Sequence, residues 1–416
     1  MRIERNLKLI YSAALLRSLG IGLLGVVFGV YLSRHGFSSL QIGLVIGSGL
    51  AGAALGTGVM SFFGDQVGRR RTLILLSLLS AVGGLGLAFV HQPAALMFVA
   101  FVGMLNGMGA DRTAAFALEQ AVIPETVAAQ QRTWALSGYN LVLDLGHAFG
   151  ALGAAVPILL QDSLSLGLAN AYRLVFLGFA ALQACSAACY VGLSREVEAA
   201  SVTTISARRL QPASRKAVTR LAALFSLDSF GGGLLTDALI AYWFFRQFGI
   251  AEQGLGVLFF AVHILNGVSY IGAAFLAQRV GLLNTMVFTH LPSSMLLMLV
   301  PFAPSFAIAV VLFLLRESLV EMDVPARQAY VLALVQPEER TFASGITNLT
   351  RNISWAGASS VAGGLMQYLG FSAPLLIGGG AKIVYDLLLY GSFRKVRPSG
   401  DIAHTDVKLR QPTAAR

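Results

Sequence analysis

The sequence contains little charge and almost no cysteine. Charged residues make up 12% of its 416 positions and hydrophobic residues 56%, whereas soluble domains carry about 25% charged residues. A chain with so few charges cannot cover a surface that faces water on all sides. The two cysteines, Cys185 and Cys189, lie among Ala and Ser. With no histidine near them in sequence, we interpret them as small packing residues rather than a metal or redox pair.

The sequence also lacks short catalytic motifs. It contains no G-x-S-x-G, H-E-x-x-H or P-loop pattern, and its six histidines are scattered. An enzyme is therefore the least favoured class, and we expect neither a cofactor nor a bound metal. His147 and His263 lie inside apolar segments, where a packed, hydrogen-bonded histidine is a more common finding than a ligand.

What the sequence does contain is a series of long apolar segments. A helix needs about 20 residues to cross the hydrocarbon core of a membrane, and twelve segments approach or exceed that length. They lie at 8–32, 39–63, 72–91, 94–122, 133–160, 171–193, 219–246, 254–277, 282–301, 305–334, 342–366 and 373–393. We therefore predict an all-α membrane protein with twelve transmembrane helices, multi-pass and surrounded by lipid.

Lysine and arginine predict the orientation of these helices. If the N-terminus is inside, the inner loops and tails hold 21 of the 30 basic residues, and the outer loops hold only Arg34, Arg173 and Arg246. By the positive-inside rule, both termini are predicted to be cytoplasmic, in a protein of the cell membrane. The net charge of +10 then reports topology. A nucleic-acid partner is not expected, because the bases form no stripe.

Three short segments of the first half recur in the second at nearly one spacing. The repeated pairs are RSLGIGLL at 17–24 with DSFGGGLL at 228–235, GDQVGRRRT at 64–72 with AQRVGLLNT at 277–285, and RTWALSG at 132–138 with RTFASG at 340–345. The chain is therefore predicted to form two pseudo-symmetric six-helix bundles in parallel. The predicted divisions are the first bundle at 1–194, a cytoplasmic linker at 195–218, the second bundle at 219–395 and a disordered tail at 396–416.

The repeat makes Arg17 equivalent to Asp228, and Asp144 equivalent to Arg351. A two-fold axis along the membrane normal brings equivalent elements of the two halves to face each other. We therefore predict two ion pairs across the halves, Arg17 with Asp228 and Asp144 with Arg351.

Most charged residues within the predicted spans belong to helices 1, 4, 7 and 10. Such charges cost about 2.5–3.5 kcal/mol on insertion scales and usually face a cavity or a partner. We predict a central water-filled cavity, lined by these four helices, in which a small-molecule substrate binds. The predicted binding residues are Arg17, Arg112, Asp228, Asp237, Arg316, Glu317, Glu321, Asp323 and Arg327.

Carboxylates outnumber bases within the spans, so some have no obvious basic partner. A carboxyl group that titrates according to the side it faces is what proton coupling requires, and its candidates are Asp111, Glu119, Asp237 and Glu321. Alternatively, Glu119 and Asp323 are simply hydrated near the inner mouth. Lys382 and Asp386, four residues apart on helix 12, are predicted to form a self-contained pair.

The segment SFFGDQVGRRR at 61–71 resembles the signature loop of the major facilitator superfamily. Asp65, Gly68, Arg69 and Arg70 match the loop, while Ser61 and Gln66 replace a glycine and a base. The resemblance implies two halves that rock around a central site. It also implies that Asp65 caps the cytoplasmic contact with the other half, and that the basic residues after it, Arg69, Arg70 and Arg71, stabilise this contact.

Helix 5 and helix 4 carry weaker resemblances within the same superfamily. GYNLVLDLGHAFGALG at 138–153 resembles the glycine-rich motif of its drug exporters, although Ala151 stands where that motif has proline. Arg112 resembles a helix-4 arginine that is associated in that superfamily with proton transfer.

The favoured function is thus a monomeric proton-coupled exporter of small organic molecules. The alternatives are an uptake carrier for a small organic or inorganic anion, suggested by the arginines within spans, and a membrane sensor without transport.

Overall fold

The computed structural model describes residues 2–111, 113–128, 131–198, 211–336 and 339–395, and within these ranges it contains α-helices and no strand. The first half contains α1 (Arg2–Arg34), α2 (Ser39–Val67), α3 (Arg69–Phe89), α4 (Pro93–Gly103), α5 (Ala114–Val122), α6 (Arg132–Leu152), α7 (Val156–Leu164) and α8 (Leu168–Val191). The second half contains α9 (Pro212–Gly233), α10 (Asp237–Phe248), α11 (Glu252–Val280), α12 (Leu282–Leu299), α13 (Phe306–Val320), α14 (Asp323–Ala333), α15 (Arg340–Tyr368) and α16 (Ala373–Phe393).

These helices make twelve crossings, as the sequence predicts. Within the described ranges, nine helical segments are long and apolar enough to span a membrane by themselves. The other three crossings are the interrupted pairs α4–α5 and α13–α14, and α15, whose first half is rich in polar residues. Twelve crossings return the chain to its starting side. We call the side where α1 begins and α16 ends the terminal side, and the opposite one the far side.

Three crossings are broken near their middle. The chain leaves helical geometry between α4 and α5, where Met104 has a φ of 50°, and between α9 and α10, where Thr236 is extended. Between α13 and α14, Glu321 and Met322 keep helical angles, but i→i−3 hydrogen bonds interrupt the α-helix. Non-helical backbone at membrane depth is tolerated where it is buried in protein or lines a cavity. Here the amide of Ala238 donates to the carbonyl of Gly107 at 3.0 Å, which joins two of the breaks across the halves.

The two halves approach each other closely along α2 with α15 and along α6 with α11. A Cβ atom on Gly43 would lie 2.6 Å from the amide nitrogen of Gly363, and one on Gly256 would lie 2.8 Å from the carbonyl oxygen of Ala151. Small residues permit this backbone contact between membrane helices, where apolar burial gives no driving force. Both contacts lie toward the far side, so the halves are closed there.

Parts of the predicted domain division lie outside the described residues. These are 199–210, within the predicted linker, and the whole tail from 396 to 416. Helix α9 begins at Pro212, inside the range predicted as linker.

Candidate functional site

A cavity of about 130 Å³ lies between the halves, at the breaks in α4–α5, α9–α10 and α13–α14. The first half contributes residues 108–110, Asp144 and His147, and the second half contributes most of the charge. The charged residues that line the cavity are Asp144, Asp228, Asp237, Arg316, Glu317, Glu321, Asp323, Arg327, Arg351 and Lys382. All predicted binding residues of helices 7 and 10 are therefore on its wall, and their role in binding stays a prediction. Arg112 lies outside the described residues.

Arg17 lies away from this cavity, in a buried charge cluster within the first half. Its Nε is 2.5 Å from Oδ2 of Asp111, and its Nη2 is 2.5 Å from Oε2 of Glu119. Glu119 also accepts hydrogen bonds of 2.7 Å from the hydroxyls of Tyr139 and Tyr190. Neither carboxylate lines the cavity, so the geometry lends no support to their predicted role in proton coupling.

Asp228 is the centre of the corresponding cluster in the second half. Nζ of Lys382 lies 2.8 Å from its Oδ1, while Nη1 of Arg327 and Nη2 of Arg351 lie 3.2 and 3.8 Å from its Oδ2. Arg327 also contacts Asp323 at 2.5 Å. One half thus buries a base among acids, and the other buries an acid among bases.

The predicted pair between Arg17 and Asp228 is therefore wrong. The two residues are equivalent by the repeat, but each side chain points into its own six-helix bundle and is neutralised there by neighbours from helices of that bundle. Asp144 and Arg351 both line the cavity. Because the described contacts of Arg351 are with Ser229, Asp228 and Trp355, its pairing with Asp144 stays a prediction.

The predicted intrahelical pair of Lys382 with Asp386 is also wrong. Lys382 binds Asp228, and Asp386 lies 3.0 Å from Nδ1 of His290. Spacing along one helix permits the pair, but the neighbouring helices supply better-placed partners. His290 links the two contacts, since its Nε2 is 3.3 Å from Nζ of Lys382.

The wall around Asp237 combines carboxylates and imidazoles. Oδ2 of Asp237 is 3.3 Å from Nε2 of His263, and the rings of His263 and His147 are 5.7 Å apart. On the adjoining helix, Glu317 contacts Arg316, and Glu321 accepts a hydrogen bond of 3.2 Å from Tyr270. Sequence reasoning favoured a packing role for His147 and His263, and it did not single out His290, the third histidine of the cavity lining.

Glycines hold Asp237 in place. Gly109 has a φ of +79°, and a Cβ atom on it would lie 1.7 Å from Oδ2 of Asp237. On the neighbouring helix α1, a Cβ atom on Gly25 would lie 3.3 Å from Cβ of Asp237. The backbone at the break between α4 and α5 therefore packs against this carboxylate and fixes its position.

The loop between α2 and α3 is anchored within the first half. The amide of Arg69 donates to Glu198 at 2.6 Å, and its guanidinium contacts Glu125 at 2.6 Å. Arg70 donates to the carbonyl of Val191 at 2.5 Å, while Arg71 is exposed. Gly68, with a φ of +97°, turns the chain between the helices. The side chain of Asp65 lies outside the described residues, so its gating role stays a prediction.

The glycines of helix 5 are used for packing against α1. A Cβ atom on Gly146 would lie 1.8 Å from Oγ of Ser18, and one on Gly150 would lie 2.1 Å from the carbonyl of Leu19. Close contact between these two helices accounts for both glycines, whichever direction the protein transports.

Two six-helix halves that enclose a charged cavity at broken membrane helices define a secondary transporter that works by alternating access. The sequence model of the Major Facilitator Superfamily matches residues 10–245 and 221–413, and the chain belongs to that superfamily. The protein is therefore a membrane transporter and not an enzyme.

One relative and several solved structures are similar to this chain in sequence or in fold. An uncharacterized membrane protein of Saccharomyces cerevisiae, YJR124C, is 24% identical over 419 residues, with 93% of each chain covered. The nucleoside transporter NupG has a TM-score of 0.73 at 14% identity, covering 94% of this chain and 100% of that one. A D-xylose–proton symporter gives 0.71 at 15% identity, covering 94% and 98%. The human organic anion transporter MFSD10 gives 0.59 at 18%, covering 94% and 100%.

Proposed function

We propose that this protein exports a small organic molecule across the cell membrane in exchange for protons, with both termini in the cytoplasm. The observation that supports proton coupling most is the position of Asp237. Its carboxylate lines the cavity between the halves, and its buried Oδ2 contacts Nε2 of His263 at 3.3 Å but no lysine or arginine among the described contacts. His147, Arg316, Glu317 and Glu321 line the same cavity. A carboxylate in this setting gains by binding either a proton or a cationic group.

The alternative of anion uptake is less well supported. It was suggested by arginines within the spans, and the structure places most of these against carboxylates. Arg17 contacts Asp111 and Glu119, Arg316 contacts Glu317, and Arg327 contacts Asp323 and Asp228. An anionic substrate would have to displace these partners. Separating a buried ion pair leaves an uncompensated charge, which costs about 3–5 kcal/mol.

The closed far side supports a cavity that faces the terminal side in this structure. With the orientation predicted by lysine and arginine, that side is the cytoplasm, from which an exporter takes up its substrate. The outward direction itself rests on the resemblance of helix 5 to exporters. Transport then requires the contacts on the far side to open while the terminal side closes.

The experiment is a proton-flux assay with the purified protein in liposomes that contain a pH-sensitive dye. Candidate compounds are added outside, and solute movement is followed by mass spectrometry. We expect transported compounds to move protons in the opposite direction, and collapse of the pH gradient to stop uphill transport. Asp237→Asn should abolish this coupling. Asp386→Asn, which alters a buried carboxylate outside the cavity lining, should retain it. Solute movement that ignores the pH gradient would contradict proton coupling.

A further inference from the structure

Three buried atoms on the cavity wall around Asp237 lack a well-placed donor. Oδ1 of Asn266 and Nε2 of His147 have no hydrogen-bond partner in the described ranges, and Oδ2 of Asp237 has only Nε2 of His263, at 3.3 Å and in poor hydrogen-bond geometry. The two histidines are only 4% and 7% exposed. Carboxylate and amide oxygens are acceptors, and a neutral imidazole accepts at one of its ring nitrogens. A buried polar atom without a partner costs about 1–3 kcal/mol, so a ligand with donors would be stabilised here.

The charge on the wall around Asp237 also favours a ligand with positively charged donors. Asp237, Glu317 and Arg316 line the cavity here. Glu317 contacts the guanidinium of Arg316, and Asp237 has only the imidazole of His263 at 3.3 Å. Among the described contacts, Asp237 thus has no permanently charged base. An anionic ligand would be repelled by this carboxylate, and a neutral one would leave its charge uncompensated.

The opposite wall of the cavity, around Asp228, is less suited to a ligand that carries hydrogen-bond donors. Arg327 there has an unpaired Nε, which is a donor, but its Nη1 already contacts Asp228 and Asp323. Lys382 is bound to Asp228 as well. Each base of this wall thus already contacts a carboxylate of the protein itself.

We infer that the substrate carries a protonated amine, which binds between Asp237, Asn266 and the imidazole of His147. This inference rests on the proposed function and names the substrate class of the same cavity. An ammonium group has three donors and no acceptor, which matches a set of unpaired acceptors. Its charge compensates Asp237, and hydrogen bonds from a charged donor to a carboxylate are stronger than neutral ones. The same carboxylate cannot hold the amine and a proton together, so binding of the amine displaces the proton.

The test compares ligands that share a carbon skeleton and differ in one group. Full-length protein in detergent is heated with a panel of primary amines and, for each amine, the carboxylate and the alcohol of the same skeleton, such as benzylamine, benzoate and benzyl alcohol. A ligand that binds the native state raises the melting temperature. We expect the stabilising compounds to be amines that bind at least about tenfold more tightly than the matched carboxylates. Stabilisation by carboxylates, or by no amine in the panel, would overturn the inference.

Two variants connect binding to the site. Asn266→Leu keeps the charge and removes one acceptor, and we expect it to weaken amine binding about tenfold. Asp237→Asn should remove the preference for the amine over the alcohol. Asp386→Asn is the matched control and should bind amines as the wild type does. Equal amine binding by wild type and both site variants would overturn the assignment.

The inference and the proposed function can fail separately. If amines bind at this site but are carried without proton movement, then proton exchange is wrong and the substrate class stands. If a carboxylate is carried in exchange for protons, the substrate class is wrong and proton exchange stands.

Discussion

Arg34 of the first half and Glu252 of the second form a two-point ion pair on the far side. Nε of Arg34 lies 2.6 Å from Oε1 of Glu252, and Nη2 lies 2.9 Å from Oε2. Tyr172 of the first half also donates to Oε1 of the glutamate. The Glu252 side chain is fully buried, and that of Arg34 is 30% exposed. This pair fastens the halves together where they must separate to open the cavity toward the far side.

Removal of either partner should therefore favour opening of the far side. We expect Arg34→Ala and Glu252→Ala each to lower the melting temperature, and the double variant to lower it by less than the sum. The coupling energy should fall in the range of about 0.5–3 kcal/mol seen for residues in contact. The control is Arg173→Ala, because the described contacts of Arg173 are with Ala88 and Phe89 of its own half. Strict additivity of Arg34 and Glu252 would contradict this role.

The cluster around Arg17 should be essential for the stability of the first half. Arg17→Ala leaves Asp111 and Glu119 buried without their cation, and we expect a loss of about 3–5 kcal/mol in the free energy of unfolding. Thermal unfolding of single and double variants distinguishes its partners. Glu119→Gln should be strongly coupled to Arg17→Ala, whereas Asp228→Asn should add to it independently. Coupling to Asp228 instead would contradict the cluster.

Because Asp237 packs directly against Gly109, we predict that alanine will have different effects at two glycines of the chain. Gly109 and Gly36 have φ values of +79° and +80°, so alanine at either position has a backbone cost of about 1–2 kcal/mol. At Gly36 nothing lies within 4 Å of the added Cβ, whereas at Gly109 it would strike Asp237. We expect Gly109→Ala to abolish transport and Gly36→Ala to retain it, both measured in liposomes. Equal transport by the two variants would show that the position of Asp237 does not matter.

The sequence was sufficient to predict twelve crossings, two halves and a charged cavity at helices 7 and 10. These features depend on segment length, on sequence repetition and on the cost of charge in lipid, and all three can be judged from the amino-acid sequence alone. The partner of Arg17 was not predictable in the same way. The repeat relates Arg17 to Asp228, but it does not reveal that each side chain points into its own bundle.

The breaks in helices 4 and 7 were also missed. Gly103, Gly107 and Gly109 surround the first, and Gly231–Gly233 precede the second, so clustered glycines were the available signal. For helix 10, Pro325 predicts a kink, and the helix is interrupted at Glu321 and Met322, a few residues earlier. Sequence reasoning favoured packing for His147 and His263 because an isolated histidine in a span gives no sequence pattern. They become informative only when the fold brings His147 and His263 together.

The central claim is that the cavity is exposed to one side of the membrane at a time, and it is tested most directly by cysteine labelling from each side. Val324 lines the cavity, and Val324→Cys is placed in a protein whose Cys185 and Cys189 are changed to serine. In oriented liposomes, we expect a membrane-impermeant thiol reagent to label Cys at this position from the terminal side much faster than from the far side. The added change Arg34→Ala should raise the rate from the far side and lower the rate from the terminal side. Equal labelling from both sides, or a far-side rate that Arg34→Ala leaves unchanged, would contradict the account.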